Sequence, residues 1–122
     1  MGKKILIIDD NVDDMEIMNK QLKAAGFQDF FSAGSGKEGI KMAQDHNPDL
    51  IILDTLLPDI DGFEVCRRLK QNKNLSSQVI MLTGAVDAVD AGKAREAGCD
   101  DYAVKTADCA MLLNAVKKLM AV

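Results

Sequence analysis

One histidine, two prolines and no tryptophan occur in 122 residues, and the lysines and arginines form no block. Several chemistries are excluded at once. With a net charge of −4 and no basic cluster, the chain is not built to hold a phosphate backbone, so no direct nucleic-acid partner is expected. No apolar stretch approaches the ~20 residues that cross a bilayer, and Met1-Gly2-Lys3-Lys4 leads straight into an apolar run rather than a signal peptide. Leu6 stands where an N-myristoylation signal carries Ser or Thr. A cytoplasmic protein without membrane attachment is the expectation. Cys66, Cys99 and Cys109 are odd in number and lack C-x-x-C spacing, so they are read as buried thiols in a reducing compartment. His46 lies in the polar stretch Gln44–Pro48, with neither a second ligand nor a base nearby in sequence, and is read as a solvated loop residue. No linker, repeat or low-complexity segment divides the chain. Its length suits one domain over residues 1–122.

What the chain does have is four apolar runs, each stopping at a polar residue. Ile5–Ile8 stops at Asp9-Asp10, Leu50–Leu53 at Asp54, Val79–Leu82 at Thr83, and Tyr102–Val104 at Lys105. Short runs of Ile, Val and Leu without polar alternation read as parallel strands buried on both faces. Parallel strands share one carboxyl edge, where open α/β sheets bind ligands.

Between the runs lie segments of helical period. Asn11 caps a helix to about Ala25, with Val12, Met15, Met18 and Leu22 inward and Gly26 as its stop. Phe27–Ser32 reads as a short second strand, and Ser35 opens a helix ended by Asn47-Pro48. Asp61-Gly62 opens a third helix to Lys70 with Phe63, Val65, Cys66 and Leu69 for the core. A fourth, from about Val86 to Ala97, contains Ala88, Ala91, Ala94 and Gly92 and few large anchors, so it is expected to be weakly held. A fifth runs from about Ala107 to Met120, with Leu112, Leu113, Val116 and Leu119 inward and Ala110, Met111 and Ala115 outward. The order βαβαβαβαβα predicts a single doubly wound α/β sheet with helices on both faces.

Gly34-Ser35-Gly36-Lys37-Glu38-Gly39 matches the G-x-G-x-x-G dinucleotide fingerprint. It follows the weakest strand rather than the first, and the chain lacks the second half of a dinucleotide fold, so nicotinamide binding is not expected.

The four stops carry a different chemistry. Asp9, Asp10 and Asp54 at neighbouring strand ends would repel one another, and three carboxylates without nitrogen ligands suit a hard cation such as Mg²⁺. The Thr83 hydroxyl and Lys105 ammonium complete a pocket for an oxyanion, with phosphoryl as the natural candidate. These residues, together with Asp54-Thr55-Leu56-Leu57-Pro58-Asp59-Ile60-Asp61-Gly62 and Thr83-Gly84, resemble the receiver domain of two-component response regulators.

The resemblance implies a flavodoxin-like five-stranded sheet of order 2-1-3-4-5 with five flanking helices. It implies that Asp54 accepts a phosphoryl group from a sensor histidine kinase or a histidine phosphotransfer protein. Mg²⁺ would be bound by Asp9, Asp10, Asp54 and the Leu56 carbonyl. Lys105 would pair with the phosphoryl oxygens, and Thr83 would turn onto them with the backbone N–H groups of Thr55 and Gly84. Tyr102 matches the aromatic residue that follows that threonine. The output surface would be helix 4, strand 5 and helix 5, toward an effector or as a homodimer. Such a protein is not an enzyme on other substrates but assists its own phosphorylation and dephosphorylation. Two features depart from the pattern. Thr106 replaces the usual proline after Lys105, which makes a trans peptide the expectation. Leu56 and Ala85 are apolar where many relatives are polar, and so would position water poorly. A docking module that no longer takes phosphate is the alternative. A small phosphatase would need an acid/base beside Asp54 that the sequence does not supply.

Overall fold

The computed structural model describes residues 3–84 and 88–120. Five strands, β1 (Lys4–Ile8), β2 (Asp29–Ala33), β3 (Leu50–Asp54), β4 (Gln78–Thr83) and β5 (Asp101–Val104), form one parallel sheet in the order β2-β1-β3-β4-β5. They alternate with α1 (Val12–Ala24), α2 (Gly36–His46), α3 (Gly62–Gln71), α4 (Ala88–Glu96) and α5 (Ala110–Met120). Both the doubly wound fold and the strand order agree with the reading of the sequence.

The period of two in a strand divides each apolar run between two cores. Ile5, Ile7, Leu50, Ile52, Ile80 and Leu82 pack with Met18 and Leu22 of α1 and with Leu112 and Val116 of α5. Leu6, Ile8, Ile51, Leu53, Val79 and Met81 face the other way, onto α2, α3 and α4. The three inner runs are therefore buried on both faces. The Tyr102–Val104 run is not: Tyr102 and Val104 are half-buried because β5 is an edge strand.

Helix starts follow the capping chemistry. Asn11 accepts from the Asp14 N–H, Ser35 from Glu38 and Asp61 from Phe63. Gly26, at a φ of 103°, ends α1 in a conformation that costs other residues strain. Some limits and faces differ from expectation. Val12, at the first turn of α1, points outward and is 62% exposed. The second strand starts at Asp29, leaving Phe27 buried beneath α1 in the preceding turn. The fifth helix starts at Ala110, because Asp108 accepts from the Ala110 N–H and Cys109 adopts a φ of 56°. Along α5, Ala115 and Met120 turn inward while Leu113 and Leu119 are half-buried, which moves the apolar face by part of a turn. Ala110 and Met111 do face outward.

His46 ends α2 rather than occupying a loop, and its ring stacks on Phe31 with centroids 4.3 Å apart. Cys66 and Cys109 are buried and Cys99 half-buried; all three are free thiols. The proposed start of the fourth helix at Val86, and Ala85, lie outside the described residues. Among the described residues no helix is long and apolar enough to cross a membrane.

Candidate phosphoacceptor site

The strand register brings the polar stops together. Ile8 pairs with Leu53, Leu53 with Met81, and Asp54 with Leu82, so the residues that follow emerge side by side at the carboxyl edge. Carboxylate oxygens of Asp9, Asp10 and Asp54 all lie within 4.8 Å of one another. Asp9 and Asp54 are buried, 1% and 7% exposed, whereas Asp10 faces solvent. Thr83 is buried at the end of β4, and its carbonyl accepts from the Lys105 N–H at 2.6 Å, which carries the β4–β5 ladder to the site.

Lys105 reaches back across the edge. Its Nζ donates to Asp54 Oδ2 at 3.1 Å, to Asp9 Oδ2 at 3.0 Å and to Asp14 Oδ2 at 2.8 Å. The Lys105-Thr106 peptide is trans, as expected from the missing proline, and the ammonium still arrives at Asp54. Burial alone would lower the ammonium pKa; its hydrogen bonds to Asp14, Asp9 and Asp54 outweigh that and raise it well above the ordinary lysine value. Burial pushes the Asp9 carboxyl upward, against the pull of the Asn11 N–H and Lys105, and the nearby Asp54 charge adds to the rise.

Asp14 was not singled out in the sequence. It lies in the first turn of α1, with nothing in its spacing to separate it from an ordinary acid that complements the helix dipole.

The loop from β3 to α3 supplies the remaining groups. The Leu56 N–H donates to Asp54 Oδ1 at 3.1 Å, while its side chain is 79% exposed. The Thr55 N–H, expected to help hold a phosphoryl group, donates instead to Leu82 O at 3.1 Å. It belongs to the sheet, and the amide that faces the Asp54 carboxylate is one residue on. Gly84 is exposed beyond the end of β4. Tyr102 is half-buried with its hydroxyl shielded from solvent and without a hydrogen-bond partner among the described residues.

Two glycines make this packing possible. A Cβ on Gly62 would collide with the Asp54 carbonyl oxygen and lie 2.8 Å from Thr55 Cα. One on Gly39 would lie 2.5 Å from Ile8 Cδ1. The glycine-rich segment thus serves close helix packing. The N-terminus of α2 that follows is filled by the protein itself: Asp59 accepts from Gly36 N at 2.7 Å and Lys37 N at 3.0 Å. Those amides of Lys37 and Gly36 hold the Asp59 carboxyl below the ordinary carboxylate range. Those two amides are thus already engaged rather than open to a pyrophosphate.

The sequence model of the response regulator receiver domain matches residues 5–117. The chain belongs to that family. Over 105 residues the receiver domain is 40% identical to the alkaline phosphatase synthesis transcriptional regulatory protein PhoP of Bacillus subtilis (strain 168), covering 86% of this chain and 43% of PhoP. It therefore spans less than half the length of that relative. The signal receiver domain of a signal transduction histidine kinase from Syntrophus aciditrophicus superposes with a TM-score of 0.87 at 33% identity, covering 98% of this chain and 91% of that one. The Mn²⁺-bound form of the response regulator Rcp1 gives a TM-score of 0.79 at 26% identity, with 98% and 92% covered. The receiver domain thus belongs to two-component signalling, in agreement with the sequence.

Proposed function

We propose that Asp54 is the phosphoacceptor and that the phosphohistidine of a sensor histidine kinase or histidine phosphotransfer protein is its donor. One observation carries the reading: a buried carboxylate at a central strand end lies 3.1 Å from a lysine ammonium and beside two further aspartates. In the transfer, an Asp54 oxygen forms a bond to phosphorus as the phosphorus–nitrogen bond breaks, and the imidazole departs with that electron pair. Lys105 offsets charge on the phosphoryl oxygens. The Leu56 N–H and Gly84 N–H supply backbone donors, and the Thr83 hydroxyl closes on the new group.

Oxygen donors alone, gathered within 4.8 Å of one another, fit a hard divalent cation. Asp9, Asp10, Asp54 and the Leu56 carbonyl would hold Mg²⁺, which when bound neutralises the carboxylates and the incoming phosphoryl charge. That Rcp1 has been solved with Mn²⁺ supports a cation of this class. The exposed apolar side chains of Val12 and Leu56, adjoining the site in sequence, support a docked protein donor. Signal output runs through Tyr102 to the α4–β5–α5 surface, toward an effector or a second copy. The chain acts on its own phosphoryl group, not as an enzyme on another substrate. A docking module without phosphoryl chemistry would not require Lys105 and three aspartates to converge.

Incubation with acetyl phosphate and Mg²⁺ should produce a single phosphoryl adduct by intact-mass measurement, absent in Asp54→Asn. An unmodified wild-type protein, or an adduct that survives the substitution, would overturn the assignment.

A further inference from the structure

The Lys105 ammonium has one more partner than phosphoryl acceptance requires. Of its three carboxylate contacts the shortest, 2.8 Å, is to Asp14. Asp14 belongs to the first turn of α1 and lies outside the cluster of Asp9, Asp10 and Asp54. Three N–H donors on a largely buried ammonium are thus divided among three carboxylates, and one positive charge is shared by three negative ones. A cavity of about 240 Å³ opens beside the pair, lined by Asp14, Ile17, Val104, Lys105, Thr106 and Leu112, so the lysine has room to move on that side.

We propose that Asp14 is a positioning residue that competes with the phosphoryl group for Lys105. This rests on Asp54 being the acceptor. Asp9 and Asp54 also belong to the cation cluster, whereas Asp14 does not, so Asp14 is the acceptor left to Lys105 once those two are engaged. A phosphoryl group on Asp54 must then draw the ammonium away from a carboxylate, and it also meets that carboxylate's repulsion. Asp14 weakens phosphoryl capture for both reasons.

The same geometry predicts an opposite effect on the resting site. Without the Asp14 charge, Lys105 bears more firmly on Asp9 and Asp54, and the region loses one negative charge. Both changes disfavour a divalent cation. An Asp14→Asn substitution therefore acts in two directions, which damage to the fold would not do.

Two binding measurements test this: Mn²⁺ alone, followed by its electron paramagnetic resonance signal, and beryllofluoride, as a stand-in for phosphoryl, at Mg²⁺ saturating for each variant. Asp14→Asn should bind Mn²⁺ about 3–10-fold more weakly and beryllofluoride about 3–10-fold more tightly, as expected for part of one charge-assisted hydrogen bond. Asp14→Glu, which keeps the charge, should return both toward wild type. Weakening of both ligands, or no change beyond about twofold in either, overturns the competition. A wild-type protein that binds neither ligand would refute the acceptor assignment and this inference with it. Wild-type binding without the split in Asp14→Asn would refute the inference alone.

Discussion

Single side chains here do work that their neighbours make possible. Lys105 meets Asp54 because β5 is in register beside β4 and the Lys105 N–H continues the ladder. Thr106, which departs from the family pattern, does not prevent that contact. At Cys66, burial between α3 and the end of α4 pushes the thiol up to about 12, with its Sγ donating to Ala97 O at 3.6 Å. A raised pKa means that the stabilising contribution is complete below the ordinary thiol value and declines as pH rises toward the folded one. The window is alkaline, from about pH 9 to about 12. Between pH 8 and 10.5 the wild type should lose about 2 kcal/mol more stability than Cys66→Ala in denaturant titrations. A difference between the two proteins that is constant over this range would show that the thiol is not the titrating group.

Elements differ in how firmly the sheet holds them. α3 buries Phe63, Val65, Cys66 and Leu69, four side chains of substantial size. Over the described side chains of α4 and the residue following it, Ala94 and Ala97 are the buried apolar anchors. Deleting or omitting large apolar groups removes the burial that resists local opening, so α4 should open at lower free energy than α3. Amide hydrogen exchange should accordingly be faster through α4 than through α3, and equal protection would contradict this. A weakly anchored element that lies between Thr83 and Tyr102 in the chain is also the one that a phosphoryl group could displace with least opposition. Helix identity and order were legible because caps and apolar spacing are local signals. Helix faces were less so: Val12 fits the inward spacing of α1 but sits in its first turn, where the chain is still leaving the sheet edge.

At the scale of the whole molecule, two cores share one sheet. Ile7 contributes to one and Ile8 to the other, so neither core persists if the strands separate. Leu22→Ala on the α1 side and Leu69→Ala on the α3 side should each cost about 2–5 kcal/mol. Each should lower a single transition seen alike by far-UV circular dichroism and by calorimetry. Two separated transitions in either variant would show the cores to be independent.

The class of fold, and the set of strand-end side chains that gather at one edge, were legible in the amino-acid order. The apolar runs of the three inner strands are buried on both faces, and polar stops at the ends of parallel strands share an edge. Asp54, Lys105, Thr83 and the Asp9-Asp10 pair could be placed at that edge because strand-end position is a local property. Tertiary structure alone decided which donors and acceptors meet. The Thr55 amide faces Leu82 and the Leu56 amide faces Asp54, a difference of one residue set by the β3–β4 register. Asp14 joins Lys105 across 91 residues, and no spacing in the chain encodes a contact between a helix on the sheet and the loop that follows its edge strand. The edge-strand exposure of Tyr102 and Val104 has the same origin, since an apolar run records hydrophobicity but not its place in the order β2-β1-β3-β4-β5.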